Sequence, residues 1–514
     1  MNKAGAFDLS QIGAMSVREL IDLRAAATPD APYLIDPATG TVITYAALQR
    51  RACAVAASIA AQGVPPGSKI AYAMTNGPDT ACVVLGIIYG GHTATAVNLV
   101  AGNDTIAYVL GHSGAKIVFV QPHTRELVEQ ALEGSDGNPE LVQVDEALFE
   151  TGESAAAQTS ASGSDDGLLM YTSGTTGRPK GVVLRQSSLL AGGLNAAIAH
   201  RLTPDDRAMC VLPLYHINGL CVTVFGPLVS GGSVVMPPKF SVSNFWQIIR
   251  DHGCTWFSVV PTQISYLLHD EVTDPATVRA LDRLRFGRSA SAPLAPEVQE
   301  AFEARFGVPI VETMGLTETA AQILSNPLPP GVRKIGSPGV AVGNEVIIAD
   351  MEQREVPRGQ EGEVLVRGPN VMRVYLDNDE ATSQALTADG WLRTGDLGRM
   401  DDDGYVFITG RLKELIIKGG ENIAPREVDE ALYAHPDVIE AAAFACDCRN
   451  YGQRVEAGVA VRDGANVTAQ ELIDLCQQKI GKFKSPDRIH FLAELPKGPS
   501  GKIQRRKLQE LFGA

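Results

Sequence analysis

Residues Tyr171-Thr172-Ser173-Gly174-Thr175-Thr176-Gly177-Arg178-Pro179-Lys180-Gly181 say most about how this chain folds and what it binds. An apolar run that ends at Tyr171 leads into a loop of glycine and hydroxyl residues, which is followed by Lys180. Glycines let backbone N–H groups approach a ligand, and hydroxyls and a lysine add donors and positive charge. The spacing differs from the Walker A pattern. The stretch predicts a phosphate-binding loop outside the P-loop NTPases, with a surface turn as the plainer alternative.

Length and charge narrow the class of protein. With 514 residues the chain is too long for one compact core, so two or more domains are expected. A net charge of −15 argues against nucleic-acid binding, which usually needs a basic surface. No membrane-spanning run and no signal peptide are expected. The eight cysteines are scattered without zinc-ligand spacing, which favours free thiols and a cytoplasmic location.

The order of apolar runs predicts an α/β fold. In residues 1–160, an amphipathic helix over 46–62 is followed by short strands over 69–73 and 115–120. Residues 204–310 repeat this rhythm of strands and helices. Such alternation is typical of parallel βα units.

Two later regions have a different character. Residues 335–410 contain short β-rich segments, of which 363–366 and 405–408 are the clearest strands. After Gly410 an α+β pattern returns. Earlier in the chain, residues 151–166 are rich in Ser, Ala, Gly and Asp and are predicted to form a loop.

Several segments carry a family resemblance, in order along most of the chain. The loop at 171–181 resembles the phosphate-binding signature of the adenylate-forming acyl-CoA synthetases, luciferases and peptide-synthetase adenylation domains. The resemblance implies a large N-terminal domain with parallel α/β subdomains and a β-rich subdomain, and a small α+β C-terminal domain. It also implies a two-step reaction in which ATP and Mg²⁺ activate a small carboxylic acid and CoA then displaces AMP.

The same resemblance implies a hinge over residues 410–415. We therefore predict an N-terminal adenylation domain over 1–410 and a mobile C-terminal domain over 411–514. The C-terminal domain is expected to rotate about Lys413 between the two steps.

The nucleotide site follows from the resemblance too. The implied phosphate contacts are Thr172, Ser173, Gly174, Thr175, Thr176, Gly177 and Lys180. In Met314-Gly315-Leu316-Thr317-Glu318, Thr317 is implied to contact phosphate and Glu318 to hold Mg²⁺, an ion that prefers carboxylate oxygens. Asp396 is implied to accept the ribose hydroxyls, with Arg411 as its partner. Lys502 is implied to stabilise charge at the α-phosphate.

Three residues are implied to meet CoA. Gly419 and Gly420 resemble the loop that contacts the pantetheine arm after domain rotation, and Lys239 matches a CoA contact of some relatives. Taken singly, these residues also fit an ordinary glycine turn and a solvated lysine. The pattern of the whole chain favours the functional interpretation.

The acyl pocket gives a clue to the substrate. His216 follows an apolar run, where open α/β sheets bind ligands. Alternation along Leu284, Phe286 and Arg288 places these side chains on one strand face. If that face is core, Arg288 is an inward cation that needs a negative partner. The partner is either a second anionic group on the substrate or a nearby Asp or Glu.

Residues 288–292 and 324–329 resemble the oxalyl-CoA synthetases of this family, whereas Asn218 stands where that group has a second histidine. We therefore expect a small dianionic acid such as oxalate or sulfoacetate. A stand-alone enzyme that loads a carrier protein, a luciferase-like oxidase and a non-catalytic ligand sensor remain as alternatives. The sequence does not indicate the oligomeric state.

Overall fold

The computed structural model describes residue 12 and residues 15–134, 139–150, 161–172, 178–498 and 502–513. The helices in these ranges are α1 (Val17–Ala27), α2 (Tyr45–Ala61), α3 (Pro78–Tyr89), α4 (Asn103–Ser113), α5 (Pro122–Leu132), α6 (Glu146–Glu150), α7 (Gln186–Ala199), α8 (Gly226–Ser230), α9 (Val242–His252), α10 (Pro261–Leu268), α11 (Pro275–Arg279), α12 (Pro296–Phe306), α13 (Asp379–Ala385), α14 (Pro425–Tyr433), α15 (Ala469–Ile480) and α16 (Arg505–Phe512). A π-helix spans Asn218–Phe225 and a 3₁₀-helix spans Thr317–Thr319.

The strands in the same ranges are β1 (Pro32–Ile35), β2 (Val42–Thr44), β3 (Lys69–Ala73), β4 (Thr93–Ala96), β5 (Ile117–Val120), β6 (Glu140–Gln143), β7 (Asp166–Thr172), β8 (Lys180–Arg185), β9 (Arg207–Cys210), β10 (Ser233–Val235), β11 (Trp256–Val259), β12 (Phe286–Ser289), β13 (Ile310–Leu316), β14 (Ala321–Ser325), β15 (Val340–Ala341), β16 (Glu345–Ala349), β17 (Glu361–Arg367), β18 (Val374–Tyr375), β19 (Leu392–Met400), β20 (Val406–Arg411), β21 (Ile416–Lys418), β22 (Glu421–Ile423), β23 (Val438–Cys448), β24 (Gly452–Val461) and β25 (Arg488–Phe491).

Two mainly parallel sheets form most of the N-terminal domain. The first has the order β18-β8-β7-β4-β3-β5-β6, and the second has the order β15-β14-β13-β12-β11-β9-β10-β1-β2. Strands β3 to β7 of the first sheet pair in parallel, as do β9 to β13 of the second. Their predicted βα units explain this pattern, because parallel neighbours need a crossover connection.

The two sheets share one hydrophobic core. Leu168 and Val182 of the first sheet belong to the same buried cluster as Trp256 and Phe286 of the second. Leu189, on α7 between them, lies in that cluster as well. Asn76, which follows β3, exchanges hydrogen bonds with the backbone of Leu212 and Leu214, which follow β9, so the carboxyl ends of one strand from each sheet lie together where open α/β sheets bind ligands.

The β-rich subdomain and the C-terminal domain are smaller. The β-rich sheet has the antiparallel order β16-β17-β19-β20. The C-terminal domain has the order β22-β21-β24-β23, with β25 parallel to β24, and its own core lies between this sheet and α14 and α15. The predicted fold class is thus confirmed, with strands at 69–73 and 117–120 close to their expected positions.

A predicted loop and a predicted strand have different bounds in the structure. The predicted loop over 151–166 lies outside the described residues in its first ten positions, and β7 already begins at Asp166. The strand expected to start at Leu284 starts at Phe286, because pairing with β11 begins at 286 and pairing with β13 begins at 287. In the described ranges, no helix combines the length and apolar character that a membrane crossing requires.

Candidate active site

The ends of the loop at 171–181, which we call the signature loop, lie in an antiparallel pair of strands. Thr172 at the end of β7 lies opposite Lys180 at the start of β8. The ammonium of Lys180 lies 4.9 Å from the centroid of the Tyr375 ring. The predicted phosphate contacts Ser173, Gly174, Thr175, Thr176 and Gly177 lie outside the described residues.

Tyr375 connects this loop to the predicted metal ligand. Its hydroxyl donates a 2.9 Å hydrogen bond to Oε1 of Glu318, and burial followed by the Glu318 charge raises the pKa of that hydroxyl. Thr317 and Glu318 form a short 3₁₀ turn directly after β13. Gly315 allows this turn to fold back, because a Cβ there would lie 1.7 Å from the carbonyl oxygen of Ala321.

The residues at this turn fit a Mg²⁺ ion that is shared with a ligand. In the part of the chain that the structure describes, no cluster of three or more His, Cys, Asp or Glu side chains could hold a metal. Mg²⁺ commonly takes one or two carboxylates together with phosphate oxygens and waters. Glu318 offers such a carboxylate, because hydrogen bonding from Tyr375 occupies only Oε1 among the described contacts.

The structure brings Asp396 and Arg411 together. They lie on the paired strands β19 and β20, and Nε of Arg411 donates a 2.5 Å hydrogen bond to Oδ1 of Asp396. The carboxylates of Asp396, Glu414 and Glu318 raise the pKa of Arg411 against the opposing effect of burial. The pair is a compact group of opposite charges at the end of the β-rich sheet.

Lys502 of the C-terminal domain faces this pair. Its side chain is exposed to solvent, yet the surrounding protein atoms desolvate the ammonium and, with the positive charge of Arg411, lower its pKa. Asp396 and Glu414 act in the opposite direction. The C-terminal domain therefore has an orientation that places Lys502 near the Asp396–Arg411 pair.

Arg288 is a charged residue buried inside the second sheet. It lies on the central strand β12 with 1% of its surface exposed. Its Nη1 donates to Oδ1 of Asn218 at 2.5 Å and to Oγ of Ser258 at 3.0 Å, and its Nε donates to Oε1 of Gln322 at 3.3 Å. Parallel pairing places Ser258 beside it in register on β11.

None of these partners carries a charge. Among the described residues, Arg288 forms hydrogen bonds to Gln322, Asn218 and Ser258 and has no Asp or Glu partner, and burial lowers the pKa of its guanidinium. The nearby imidazole of His200 is also buried, and desolvation followed by the Arg288 charge lowers its pKa well below the usual range. His200 therefore stays neutral. The alternative of an internal Asp or Glu partner finds no support in the described ranges.

His216 and Asn218 follow β9 at the carboxyl end of the second sheet. Nε2 of His216 is buried and has no hydrogen-bond partner in the described structure, and burial lowers the pKa of this imidazole to about 4. Asn218 starts the π-helix, a rare conformation that occurs frequently at functional sites. Its Nδ2 donates to Oγ of Ser291 at 3.1 Å, which fixes its carbonyl toward Arg288.

The predicted CoA and hinge residues lie in turns and at the protein surface. Lys239 is exposed after β10, and Lys413 is exposed in the turn that follows β20. Gly419 and Gly420, with φ of +60° and +87°, form the turn between β21 and β22. The N–H of Gly419 donates to the carbonyl of Tyr451 at 2.8 Å, within the C-terminal domain.

Comparison with protein families agrees with this geometry. The model of the AMP-binding enzyme family matches residues 21–376, and that of the AMP-binding enzyme C-terminal domain matches residues 427–502. The chain belongs to the AMP-binding enzyme family. The predicted family membership is thus confirmed.

Relatives extend the comparison over nearly the whole chain. A sulfoacetate–CoA ligase of Cupriavidus necator is 47% identical over 95% of this chain and 96% of its own length. An oxalate–CoA ligase of Arabidopsis thaliana is 34% identical over 88% and 89%. Together with the family, these relatives identify the chain as an ATP-dependent, AMP-forming acid–CoA ligase. ATP and CoA are its co-substrates, and Mg²⁺ is its cofactor.

A solved relative bears on the domain orientation. ATP-bound MatB from Rhodopseudomonas palustris is 29% identical and superimposes with a TM-score of 0.88 over 97% of this chain and 99% of its own. Apo MatB, with the same identity and coverage, reaches only 0.76. The shape of this chain is therefore closer to the ATP-bound form of that protein.

Some residues of the site were not found from the sequence. Ser258 and Gln322 hold Arg288, and Tyr375 bonds Glu318, but each lies far along the chain from the residue that it contacts. No local motif marks them. Only the parallel register of β11 and β12 would have pointed to Ser258.

Proposed function

We propose that this acid–CoA ligase acts on sulfoacetate or a closely related short acid with a second anionic group. The observation that carries the proposal is the buried guanidinium of Arg288, to which the described residues offer hydrogen bonds but no negative charge. Burying a charge without a counter-charge is costly. A terminal sulfonate or carboxylate on the substrate would supply that charge, and its planar or trigonal oxygens suit a guanidinium.

Sequence similarity to known ligases favours a sulfonate as the second anionic group of the substrate. The sulfoacetate–CoA ligase is more similar to this chain than the oxalate–CoA ligase of Arabidopsis, and Asn218 differs from the histidine that the oxalyl-CoA synthetases are expected to carry. In our proposal the neutral His216 lines the same pocket without adding charge. The carboxylate at the other end of the acid is then directed toward the nucleotide.

The first step joins the substrate carboxylate to the α-phosphorus of ATP and releases pyrophosphate. We assign Lys502 to the negative charge that develops on the α-phosphate, since an ammonium in this cleft is already placed beside the Asp396–Arg411 pair. Asp396 is proposed to accept the ribose hydroxyls. Mg²⁺ held by Glu318 would offset the charge of the phosphates.

Phosphate binding is assigned to the signature loop and its neighbours. Thr172 and Lys180 sit at the two ends of the loop, and Thr317 follows β13 beside Glu318. In this proposal Lys180 contacts phosphate from its position over the Tyr375 ring. Ser173–Gly177, between the two strand ends, would supply hydroxyl and backbone N–H donors.

The second step breaks the acyl–phosphate bond as the CoA thiol takes the acyl group and AMP leaves. We propose that the domain boundary lies at 410/411 and that the C-terminal domain rotates about Lys413, removing Lys502 and bringing Gly419 and Gly420 to CoA with Lys239. The exposed turn that contains Lys413 supports a hinge there. Free cysteines support the cytoplasmic location that we propose.

AMP release tests the substrate proposal. The assay contains ATP and Mg²⁺, with and without CoA, and compares sulfoacetate, oxalate, malonate, acetate and propionate. We expect CoA-dependent AMP release with dianions, highest with sulfoacetate, and formation of the matching thioester by mass spectrometry. Equal turnover of acetate or propionate would remove the anion pocket while leaving the ligase.

Oxalate is the second candidate, because residues 288–292 resemble the oxalyl-CoA synthetases and an oxalate–CoA ligase is among the relatives. A higher kcat/KM for oxalate than for sulfoacetate would favour it. The carrier-protein, luciferase-like and sensor alternatives are not favoured, since the relatives that align over nearly the whole chain are named as CoA ligases.

A further inference from the structure

A buried carboxylate lies where the two domains meet. Glu440 on β23 has 1% of its surface exposed. Its Oε1 accepts a 2.7 Å hydrogen bond from the hydroxyl of Tyr266 and lies 2.7 Å from Nζ of Lys497. Its Oε2 accepts the N–H of Leu495 at 3.0 Å. We call Tyr266, Glu440 and Lys497 the interdomain triad.

The members of the triad come from different parts of the molecule. Tyr266 lies on α10 of the N-terminal domain, and the preceding Ser265 donates a 2.8 Å hydrogen bond to the carbonyl of Ile439. Glu440 and Lys497 belong to the C-terminal domain. Burial, supported by the Glu440 carboxylate and opposed by the Lys497 ammonium, raises the pKa of Tyr266 to about 12, so its hydroxyl remains a donor at neutral pH.

Lys497 also lies at the base of the segment that carries Lys502. It pairs with Ile503 across an antiparallel bridge, and the N–H of Gly498 donates to the carbonyl of Lys502 at 2.7 Å. The ammonium of Lys497 is held by Glu440 and by Glu494, each at 2.7 Å. Glu440 therefore fixes one side of the backbone pair that presents Lys502.

We propose that Tyr266 and Glu440 are positioning residues that tie the placement of Lys502 to the orientation of the C-terminal domain. The bonds from Glu440 to Lys497 and Leu495 lie inside one domain and move with it, whereas the bond to Tyr266 crosses between domains. Any rotation of the C-terminal domain breaks that crossing bond. A carboxylate with a full set of partners is more stable than one that has lost a donor. The triad thus favours the orientation in which Lys502 faces the nucleotide groups.

The inference rests on the proposed role of Lys502, and separate measurement of the two half-reactions tests it. Tyr266→Phe removes the crossing hydroxyl and keeps the ring over which Lys497 lies, 5.5 Å from its centroid. Acyl-adenylate formation is measured by rapid-quench single turnover. Thioester formation is measured by supplying purified acyl-adenylate and CoA.

We expect Tyr266→Phe to slow adenylate formation about tenfold, the scale of a hydrogen bond to a charged group, and to leave thioester formation unchanged or faster. The matched control is Lys479→Ala, which removes an exposed interdomain ion pair of 3.3 Å with Glu297 that involves no member of the interdomain triad. The control should change neither half-reaction. Lys497→Met should behave like Tyr266→Phe.

Equal slowing of both half-reactions, or no change in either, would overturn the proposal. The melting temperature of each variant separates a positioning effect from loss of fold. Failure of the substrate proposal leaves the test intact, because any acid that the wild-type enzyme adenylates can be used. If Lys502→Ala, run in parallel, leaves adenylation unchanged, then the assumed role of Lys502 fails instead.

Discussion

The surroundings of Arg288 and of Lys502 are opposites within one active site. Arg288 is 1% exposed on a central strand, and its hydrogen-bond partners all belong to the N-terminal domain. Lys502 is exposed, belongs to the C-terminal domain and lies close enough to Asp396 and Arg411 for their charges to act on it. One cation is built into a rigid sheet, and the other is carried to the site by a separate domain.

In the proposed mechanism, this difference separates the choice of substrate by Arg288 from the chemical step at Lys502. A group that must recognise the same anion in every turnover benefits from a locked rotamer and partners that do not move. A group that must leave between two steps has to form contacts that can be broken at small cost, so it remains exposed. The contrast predicts that changes at Arg288 alter which acid is used, whereas changes at Lys502 alter which step proceeds.

The largest effect is expected from Lys502→Ala. Removal of a donor that stabilises developing charge typically lowers rates by about a hundred- to a thousandfold. We expect such a loss in acyl-adenylate formation, measured by pyrophosphate release, and little change in thioester formation from purified acyl-adenylate. A similar loss in both steps would show that Lys502 does not belong to one step alone.

Arg288→Leu tests whether the buried guanidinium selects dianionic acids. Loss of a charge-assisted contact should lower kcat/KM for sulfoacetate about a hundredfold, while kcat/KM for propionate stays equal or rises. The free energy of unfolding should not fall much, since apolar replacements of buried charges are often neutral or stabilising. Unchanged preference for dianions in this variant would remove Arg288 from the acyl pocket.

Asn218→Asp tests whether Arg288 lacks a negative partner within the protein. The new carboxylate would lie where Oδ1 of Asn218 now accepts from Arg288 at 2.5 Å, and it would compete with the substrate anion. We expect KM for sulfoacetate to rise about tenfold with a smaller change in kcat, and the melting temperature to rise or stay constant. Asn218→Ser, which adds no charge, is the matched control, and an equal rise in KM there would contradict the interpretation.

The smallest expected effect is a change in the rate of adenylate formation with pH. The pKa of Lys502 is lowered by desolvation and by Arg411, so its ammonium loses its proton at a lower pH than an ordinary lysine. Because the charged form is the active one in our proposal, adenylate formation should decline on the alkaline side before the ordinary lysine range. Rates of both half-reactions between neutral and alkaline pH check this. The thioester step should lack that decline, and a shared decline would point to another group.

His216 is a useful internal reference for that profile. Burial holds its pKa at about 4, below the ordinary histidine value, so its charge is absent at neutral pH and does not appear until the solution is strongly acidic. A change in rate near the usual histidine pKa therefore belongs to a different residue.

Much of the fold could be predicted from the sequence because its signals are local. The apolar run before Thr172 and the short strand at 69–73 occur where expected, and their alternation with helices indicated the parallel sheets. The family resemblance of the segments at 171–181 and 314–318 predicted which residues bind the nucleotide, and these roles stay predictions. These motifs are contiguous, so their chemistry can be read from neighbours in the chain.

The surroundings of Arg288 could be predicted only in part. Alternation along the strand indicated that its side chain faces the core, but it could not show whether an acidic residue lies opposite. That outcome depends on the side chains that β11, β14 and the π-helix place on the same face, and Ser258, Gln322 and Asn218 are all neutral.

The sequence by itself determined the family and the strand–helix order, and it predicted which residues bind phosphate, because each of these depends on short contiguous patterns. Tertiary structure decided which groups surround the charged residues of the site. It left no carboxylate beside Arg288 in the described ranges, placed Tyr375 on Glu318, and linked Tyr266 through Glu440 to Lys497. The physical reason is that burial and charge balance depend on groups far apart in the chain, which meet only when sheets and domains pack.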